Sequence, residues 1–171
     1  MSYLRIILAG SLSVALAGCA STYTRETVVA SQVKLAPSGS VLIAVPQDGS
    51  YGGQGYPASG AATADVVRAA FSRYSNNVKL EAGCSEIGCL TANSAPFDYY
   101  VVPLILHWED RATEWSGKPD RVEVKITVYD RSGKVLASQV ISGKSKWATF
   151  GGDHPQNLLP ESINPYVGSL Y

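Results

Sequence analysis

The sequence has no excess of charge of either sign. It contains 14 Lys and Arg and 14 Asp and Glu among 171 residues, so its formal net charge is 0 with both His neutral. Nucleic acids and anionic surfaces favour basic proteins, because cationic side chains on phosphates release bound counterions. The overall balance favours neither kind of partner, and we predict no nucleic-acid binding.

Recognisable catalytic motifs are also missing. The sequence has no G-x-S-x-G nucleophile elbow and no H-E-x-x-H zinc motif, and its glycine-rich run 47–60 lacks the order of a phosphate-binding loop. A metal site would have to combine His107 and Glu109 with Asp153 and His154, at spacings that match no metal motif. We expect a non-enzymatic protein without cofactor or metal. The alternative is a small-molecule or metal-binding enzyme that uses His107, Glu109 and His154.

Cysteine is scarce, with three in the chain, but one of them stands in a specific context. Residues 1–18 combine one cation, Arg5, with the apolar run Ile6–Leu16 and terminal small residues, which is typical of a secretory signal and too short to span a membrane. The order at its end resembles the bacterial lipoprotein signal, in which the leader is cleaved before a lipidated cysteine: Leu16-Ala17-Gly18-Cys19. We predict a signal peptide at 1–18 and a covalent lipid on Cys19.

The resemblance to lipoproteins implies a location. Ala20, rather than Asp, follows the cysteine, which in Gram-negative lipoproteins implies sorting to the outer membrane, with the protein facing the periplasm. That compartment is oxidising, so we predict a disulfide between the two remaining cysteines, Cys84 and Cys89. A reactive redox pair is the alternative, although the spacing is C-x4-C rather than C-x-x-C.

The mature chain suits one domain on a tether. Residues 19–40 are polar and end in Pro37-Ser38-Gly39-Ser40, which predicts a lipidated cysteine and a flexible tether, with a short strand at Thr27–Leu35. Residues 41–171 are long enough for one hydrophobic core and are predicted to form a single α/β domain.

The order of predicted elements is β, α, β, short α, a three-strand meander and α. Val41–Val45 is apolar throughout, as in a strand covered on both faces. Ala61–Tyr74 has the pattern of an amphipathic helix, and Asn77–Leu80 would return parallel to the first strand. We predict a two-layer α/β (α+β) fold with a mixed sheet of four to five strands, a C-terminal antiparallel meander and helices mainly on one face.

The meander holds the clearest strand patterns. In Asp98–Asp110 the even-numbered side chains from Tyr100 to Trp108 are all apolar, so we predict that this face is buried and that the odd-numbered face is mixed. Arg121–Tyr129 alternates more cleanly, with Val or Ile at its even positions.

The chain is predicted to end in a return strand and a helix. Asp130-Arg131-Ser132-Gly133 is typical of a hairpin turn, and Lys134–Gly143 follows it as a strand. Asp153–Tyr171 is predicted to dock as a broken helix, with Pro155 and Pro160 in first-turn positions.

A dense cluster of aromatic and charged residues lies around the connection between the first two meander strands. Amphipathic aromatics beside cations suit protein or glycan surfaces. The alternatives are that the tryptophans cover the core and that ion pairs hold an exposed hairpin end. The predicted recognition surface consists of Trp108, Glu109, Asp110, Arg111, Glu114, Trp115, Lys118, Asp120, Arg121 and Trp147.

Three blocks of sequence are similar to a known family: Leu104–Gly117 (LILHWEDRATEWSG), Pro119–Arg121 (PDR) and Gly143–Pro155 (GKSKWATFGGDHP). With the lipoprotein signal, they resemble the bacterial lipoproteins grouped as domain-of-unknown-function family 4823 over essentially the whole mature domain. The resemblance implies a periplasm-facing outer-membrane lipoprotein and no particular activity. More distantly, the order of elements is similar to that of the amino-terminal domain of TolB and of lipoproteins that activate penicillin-binding proteins.

Together these features predict an outer-membrane-anchored periplasmic lipoprotein with a non-enzymatic binding or accessory role in the cell envelope. The lipid on Cys19 would provide the membrane contact. The expected partner is an envelope protein or peptidoglycan.

Overall fold

The computed structural model describes residues 20–92, 96–111, 118–146 and 154–171. None of the helices in these ranges combines the length and hydrophobicity needed to cross a bilayer. The described residues contain these elements: β1 (Thr22–Val29), β2 (Val41–Ala44), β3 (Ser50–Tyr51), β4 (Gln54–Gly55), α1 (Ser59–Phe71), β5 (Val78–Glu81), α2 (Ile87–Thr91), β6 (Tyr99–Glu109), β7 (Arg121–Asp130), β8 (Val135–Lys144) and α3 (Pro155–Leu170).

Six strands form one mixed sheet in the order β1-β8-β7-β6-β2-β5, and β3 and β4 form a separate hairpin. β2 is parallel to β5 and β6, whereas β6, β7, β8 and β1 pair antiparallel. α1 connects β2 to β5, because parallel neighbours require a crossover connection. The predicted α/β fold with its antiparallel meander is confirmed.

One strand more than predicted comes from the segment interpreted as a tether. β1 pairs with β8 along its length, from Thr22 opposite Lys144 to Val29 opposite Ser138. It begins earlier than the short strand predicted at Thr27–Leu35. Its sequence, TYTRETVV, is rich in the β-branched residues that favour strands. The sheet therefore begins three residues after Cys19.

The main core lies between one face of the sheet and the helices α1 and α3. The inward side chains of β7 are Val122, Val124, Ile126 and Val128, as predicted, and none is more than 3% exposed. α2 packs on the opposite face, where Leu90 lies in a smaller cluster with Leu42 and Tyr100. The helices therefore lie mainly on one face, as predicted. The helical side chains in the main core include Val67, Ala70, Phe71, Ile163, Tyr166, Val167 and Leu170.

The predicted alternation of β6 is wrong. Leu104 and Leu106, predicted to be buried, are 50% and 45% exposed, whereas Ile105 packs against the main core. A β-bulge between Ile105 and His107 adds one residue to β6 without a partner on β7. The extra residue shifts the alternation by one, so that Trp108 turns into the core.

α3 also differs from the prediction of a broken helix. One helix spans Pro155–Leu170, with Pro155 in its first turn and both Pro160 and Pro165 inside. A proline inside a helix removes a backbone hydrogen bond and crowds the preceding turn, at a cost of about 3 kcal/mol. The predicted apolar stripe, which includes Ile163 and Val167, is buried and offsets this cost.

Cys84 and Cys89 form the predicted disulfide, with their Cα atoms 5.4 Å apart. The bond links the turn after β5 to α2. It closes a loop of few residues, so it constrains this connection rather than the whole sheet.

The exposure of Leu104 can be tested against a buried leucine of α3. Leu159 is 1% exposed, so we expect Leu159→Ala to lower the free energy of unfolding by about 2–5 kcal/mol. Leu104→Ala removes the same atoms from a half-exposed site and should cost less than about 1 kcal/mol. Urea unfolding followed by circular dichroism measures both. Equal losses would contradict the bulged register of β6.

Candidate functional site

Two rows of polar side chains cross the sheet on its open face, the face away from α1 and α3. Residues directly opposite each other on neighbouring strands share a face. The outer row is Thr22, Lys144, Arg121 and Glu109, and the inner row is Thr24, Ser142, Glu123 and His107. The outer row crosses the sheet where β6 ends and β7 begins. We call this end of the sheet the proximal end, because β1 begins there, close in sequence to Cys19.

Most of these side chains line an open groove of about 540 Å³, to which Leu106 adds an apolar wall. The Ser142 hydroxyl donates a hydrogen bond to the Glu123 carboxylate at 3.0 Å. Tyr51 covers His107, with 4.7 Å between the ring centroids. The hairpin of β3 and β4 therefore borders the groove at its β6 side.

Glu109 is the buried charge of the outer row, with 2% exposure. Its carboxylate forms an ion pair with Arg111, and Oε2 lies 3.3 Å from Nε2 of His107. A buried carboxylate is tolerated only when it is paired and hydrogen-bonded. The carboxylate of Glu109 is thus paired with two neighbours in sequence, His107 on the same strand and Arg111 just after it.

Asp120 fastens the two ends of the connection between β6 and β7. Its Oδ1 accepts a hydrogen bond from the backbone N–H of Arg111 at 2.6 Å. Its own N–H donates to the Ser145 hydroxyl at 2.9 Å, and the Ser145 N–H donates back to the Asp120 carbonyl at 3.0 Å. Asp120 is 4% exposed, so its role in the described structure is to join β6, β7 and the end of β8.

The structure divides the predicted recognition surface. Trp108 is 3% exposed and packs in the main core, so its assignment to a surface is wrong. Glu109 and Asp120 are buried in the contacts described above. The remaining described members are half-buried or exposed: Asp110, Arg111, Lys118 and Arg121. Three predicted members lie outside the described residues: Glu114, Trp115 and Trp147.

The residues of the alternative metal site are only partly brought together. His107 lies beside Glu109, but Nδ1 of His154 is 3.3 Å from Oδ2 of Asp110 instead. Asp153 lies outside the described residues. In the described ranges, no three His, Cys, Asp or Glu side chains form a group that could hold a metal ion.

At the opposite end of the sheet, which we call the distal end, Asp98 links the start of β6 to the residue before β2. Its Oδ2 accepts hydrogen bonds from the backbone N–H and the hydroxyl of Ser40, at 2.9 and 2.8 Å. These bonds, the backbone one first, lower the pKa of the Asp98 carboxyl below its ordinary value. The stabilisation is present above the ordinary carboxyl pKa and is lost as the pH falls through the lowered value.

Five of the eight side chains in the two rows were not among the predicted site residues. Thr22 and Thr24 lie in the segment interpreted as a tether, and Glu123, Ser142 and Lys144 were not included in the predicted recognition surface. The run of Thr, Tyr and Val in β1 was a usable signal for a strand. The pairing that aligns β1 with β8 joins residues far apart in sequence, so no local pattern marks the groove.

The fold and site define a small α/β domain that carries a polar groove at the end of its sheet nearest the predicted lipid anchor. The chain belongs to the family described as domain of unknown function DUF4823, whose model matches residues 33–170. None of the curated proteins matches this chain.

Two solved structures of PelC show the same fold at low sequence identity. The PelC dodecamer from Paraburkholderia phytofirmans has a TM-score of 0.64 and 13% identity, over 88% of this chain and 96% of PelC. A methionine-for-leucine variant of that dodecamer has a TM-score of 0.61, 12% identity and the same coverage. Protein XCC0632 from Xanthomonas campestris, of family DUF330, has a TM-score of 0.46 and 15% identity, over 83% and 91%. These neighbours are neither TolB nor activators of penicillin-binding proteins, so the predicted likeness to those proteins gives way to a likeness to PelC.

The pairing of Glu109 with Arg111 gives a prediction for stability. Arg111→Met should lower the free energy of unfolding by about 3 kcal/mol, because it leaves a buried carboxylate without its ion pair. Adding Glu109→Gln should recover part of that loss. Arg121 is an exposed cation in the outer row, and Arg121→Met should change the free energy of unfolding by less than about 0.5 kcal/mol. Urea unfolding distinguishes the variants, and similar losses for the two arginines would refute the assigned roles.

Proposed function

We propose that this chain is an outer-membrane lipoprotein with a non-enzymatic binding or accessory role on the periplasmic side. One observation carries the proposal: β1, which pairs along its length with β8, begins at Thr22, three residues after the cysteine of the lipoprotein signal. Three residues of chain span at most about 10 Å. A lipid on Cys19 would therefore hold the proximal end of the sheet against the bilayer.

Two further features support a periplasmic location. A disulfide between Cys84 and Cys89 fits an oxidising compartment. Ala20 after the cysteine fits sorting to the outer membrane. The alternative of an enzyme that uses His107, Glu109 and His154 has less support, because His154 pairs with Asp110 rather than with the other two side chains.

The binding role is best supported by the exposed leucines of β6. Leu104 and Leu106 are about half exposed on the open face, and apolar side chains adjacent on a surface favour contact with another protein. Leu104 lies opposite Lys125, two residues along β7 from Glu123 of the inner row, so it is about 7 Å farther from the proximal end than that row. A partner bound there would not compete with the membrane.

We propose a second copy of the chain as that partner. The support is the fold neighbour PelC, which forms a dodecamer in its crystals. Contact between two copies at this face would remove the exposed leucines from water, which favours association.

The lipid anchor can be tested by fractionation. Cys19→Ser should move the protein from the membrane fraction to the soluble periplasmic fraction, because it removes the atom that carries the lipid. Ala20→Asp should keep the protein lipidated but shift it from the outer to the inner membrane. Density-gradient separation, with mass spectrometry of the mature amino terminus, measures both outcomes. An unlipidated wild-type protein would refute the proposal.

Self-association can be tested on the detergent-extracted lipoprotein. Wild type should be larger than one chain by light scattering, and Leu104→Asp should dissociate it, because a carboxylate would then be buried at the contact. Val33→Asp, at a side chain 53% exposed outside the sheet, is the matched control and should leave the size unchanged. A wild type that contains one chain would exclude self-association without affecting the proposed anchor.

A further inference from the structure

Two cations face each other across the outer row. Arg121 on β7 and Lys144 on β8 are direct cross-strand partners, and both side chains are exposed. Like charges placed directly opposite destabilise a sheet. Among the ion pairs of the described residues, none includes either side chain. This arrangement gains stability if an anion lies between the two cations.

The neighbouring groups fit an anion with several acceptor oxygens. Thr22 lies directly opposite Lys144 on β1, so its hydroxyl borders the same cation. The carboxylate of Glu109 is already held by Arg111. Glu123 lies in the inner row, about 7 Å along the strand, and accepts the Ser142 hydroxyl. The rim of the groove therefore presents two cations and a hydroxyl, a set that suits a phosphate group.

We propose that this rim, formed by Arg121, Lys144 and Thr22, binds the phosphate of an anionic phospholipid in the leaflet to which the chain is anchored. The inference rests on the proposed function for its choice of a lipid source. Thr22 is three residues from Cys19, so lipid headgroups beside the anchor lie within reach of the rim. Binding at the rim orients the domain on the bilayer, because it holds the proximal ends of the strands against the membrane. The strands then run along the membrane normal, and the open face stands perpendicular to the membrane plane.

The balanced overall charge does not oppose this binding. Interactions with an anionic surface fall off within about 10 Å at moderate ionic strength, so local cations decide the contact. Each basic side chain near such a surface raises affinity about fivefold. Loss of both cations should therefore lower affinity about 25-fold.

The test uses the mature chain with Cys19→Ser, so that membrane binding does not depend on lipidation. Vesicles of phosphatidylcholine alone are compared with vesicles that also contain phosphatidylglycerol, by cosedimentation over a lipid titration at constant ionic strength. We expect binding to the anionic vesicles only. Arg121→Gln with Lys144→Gln should reduce that binding about 25-fold. Circular dichroism verifies that each variant is folded.

The matched control is Arg73→Gln with Lys134→Gln, which removes the same charge. Arg73 follows α1 and Lys134 lies in the turn between β7 and β8, both exposed at the distal end. This variant should bind like the parent protein.

Equal losses in the two double variants, or equal binding to neutral vesicles, would overturn the proposal. Complete displacement when phosphate replaces chloride at the same ionic strength would assign the rim to soluble phosphate and overturn the lipid as its ligand. A chain that binds the vesicles but is not lipidated in cells would refute the anchor alone.

Discussion

The β-bulge between Ile105 and His107 determines which side chains of β6 enter the core. Before the bulge, Ile105 packs toward α1 and α3, and after it Trp108 takes that position. A regular strand would direct His107 and Glu109 into the apolar layer and leave Trp108 in solvent. A carboxylate in an apolar layer without partners costs several kcal/mol. The bulge avoids this cost, because it turns Glu109 at the end of β6 away from the apolar layer. The bulge therefore brings His107 and Glu109 of β6 into the two polar rows.

The loop that follows β2 packs tightly against β6 on both sides of the bulge. β2 pairs with β6 only at Tyr99–Val101, so within the described ranges the rest of β6 has no strand paired to it on that side. The chain after β2 packs there instead. A Cβ atom added to Gly49 would lie 2.5 Å from Cβ of Trp108, so only glycine permits this approach. The close contact lets the β3–β4 hairpin place Tyr51 over His107. Core packing and the wall of the groove thus depend on the same segment.

The sequence predicted elements whose patterns are unambiguous. β7 alternates without exception, and β2 is apolar throughout, so their faces were assigned correctly. From Tyr99 to Leu106 both parities of β6 are apolar, and periodicity cannot choose between them or reveal a bulge. β1 resembled a tether because a polar edge strand has little apolar content. The groove was beyond reach, since it depends on the register that brings Thr22, Arg121 and Lys144 together over more than a hundred residues. Trp115 and Trp147, central to the predicted surface, lie outside the described residues, and their role stays a prediction.

Burial decides which arginine neutralises Glu109. The register puts Arg121 directly opposite Glu109, and an exposed cross-strand pair would be worth at most about 1 kcal/mol. Glu109 is buried, however, and its carboxylate is held by Arg111, whose backbone N–H is fixed by Asp120. A half-buried guanidinium compensates a buried carboxylate better than an exposed one does, because water screens it less. In the described part of the chain, Arg121 is therefore left beside Lys144 without a carboxylate in an ion pair. The buried network at the end of β6 thus leaves Arg121 outside the ion pairs of the described residues, and the anion site that we propose on the rim depends on this arrangement.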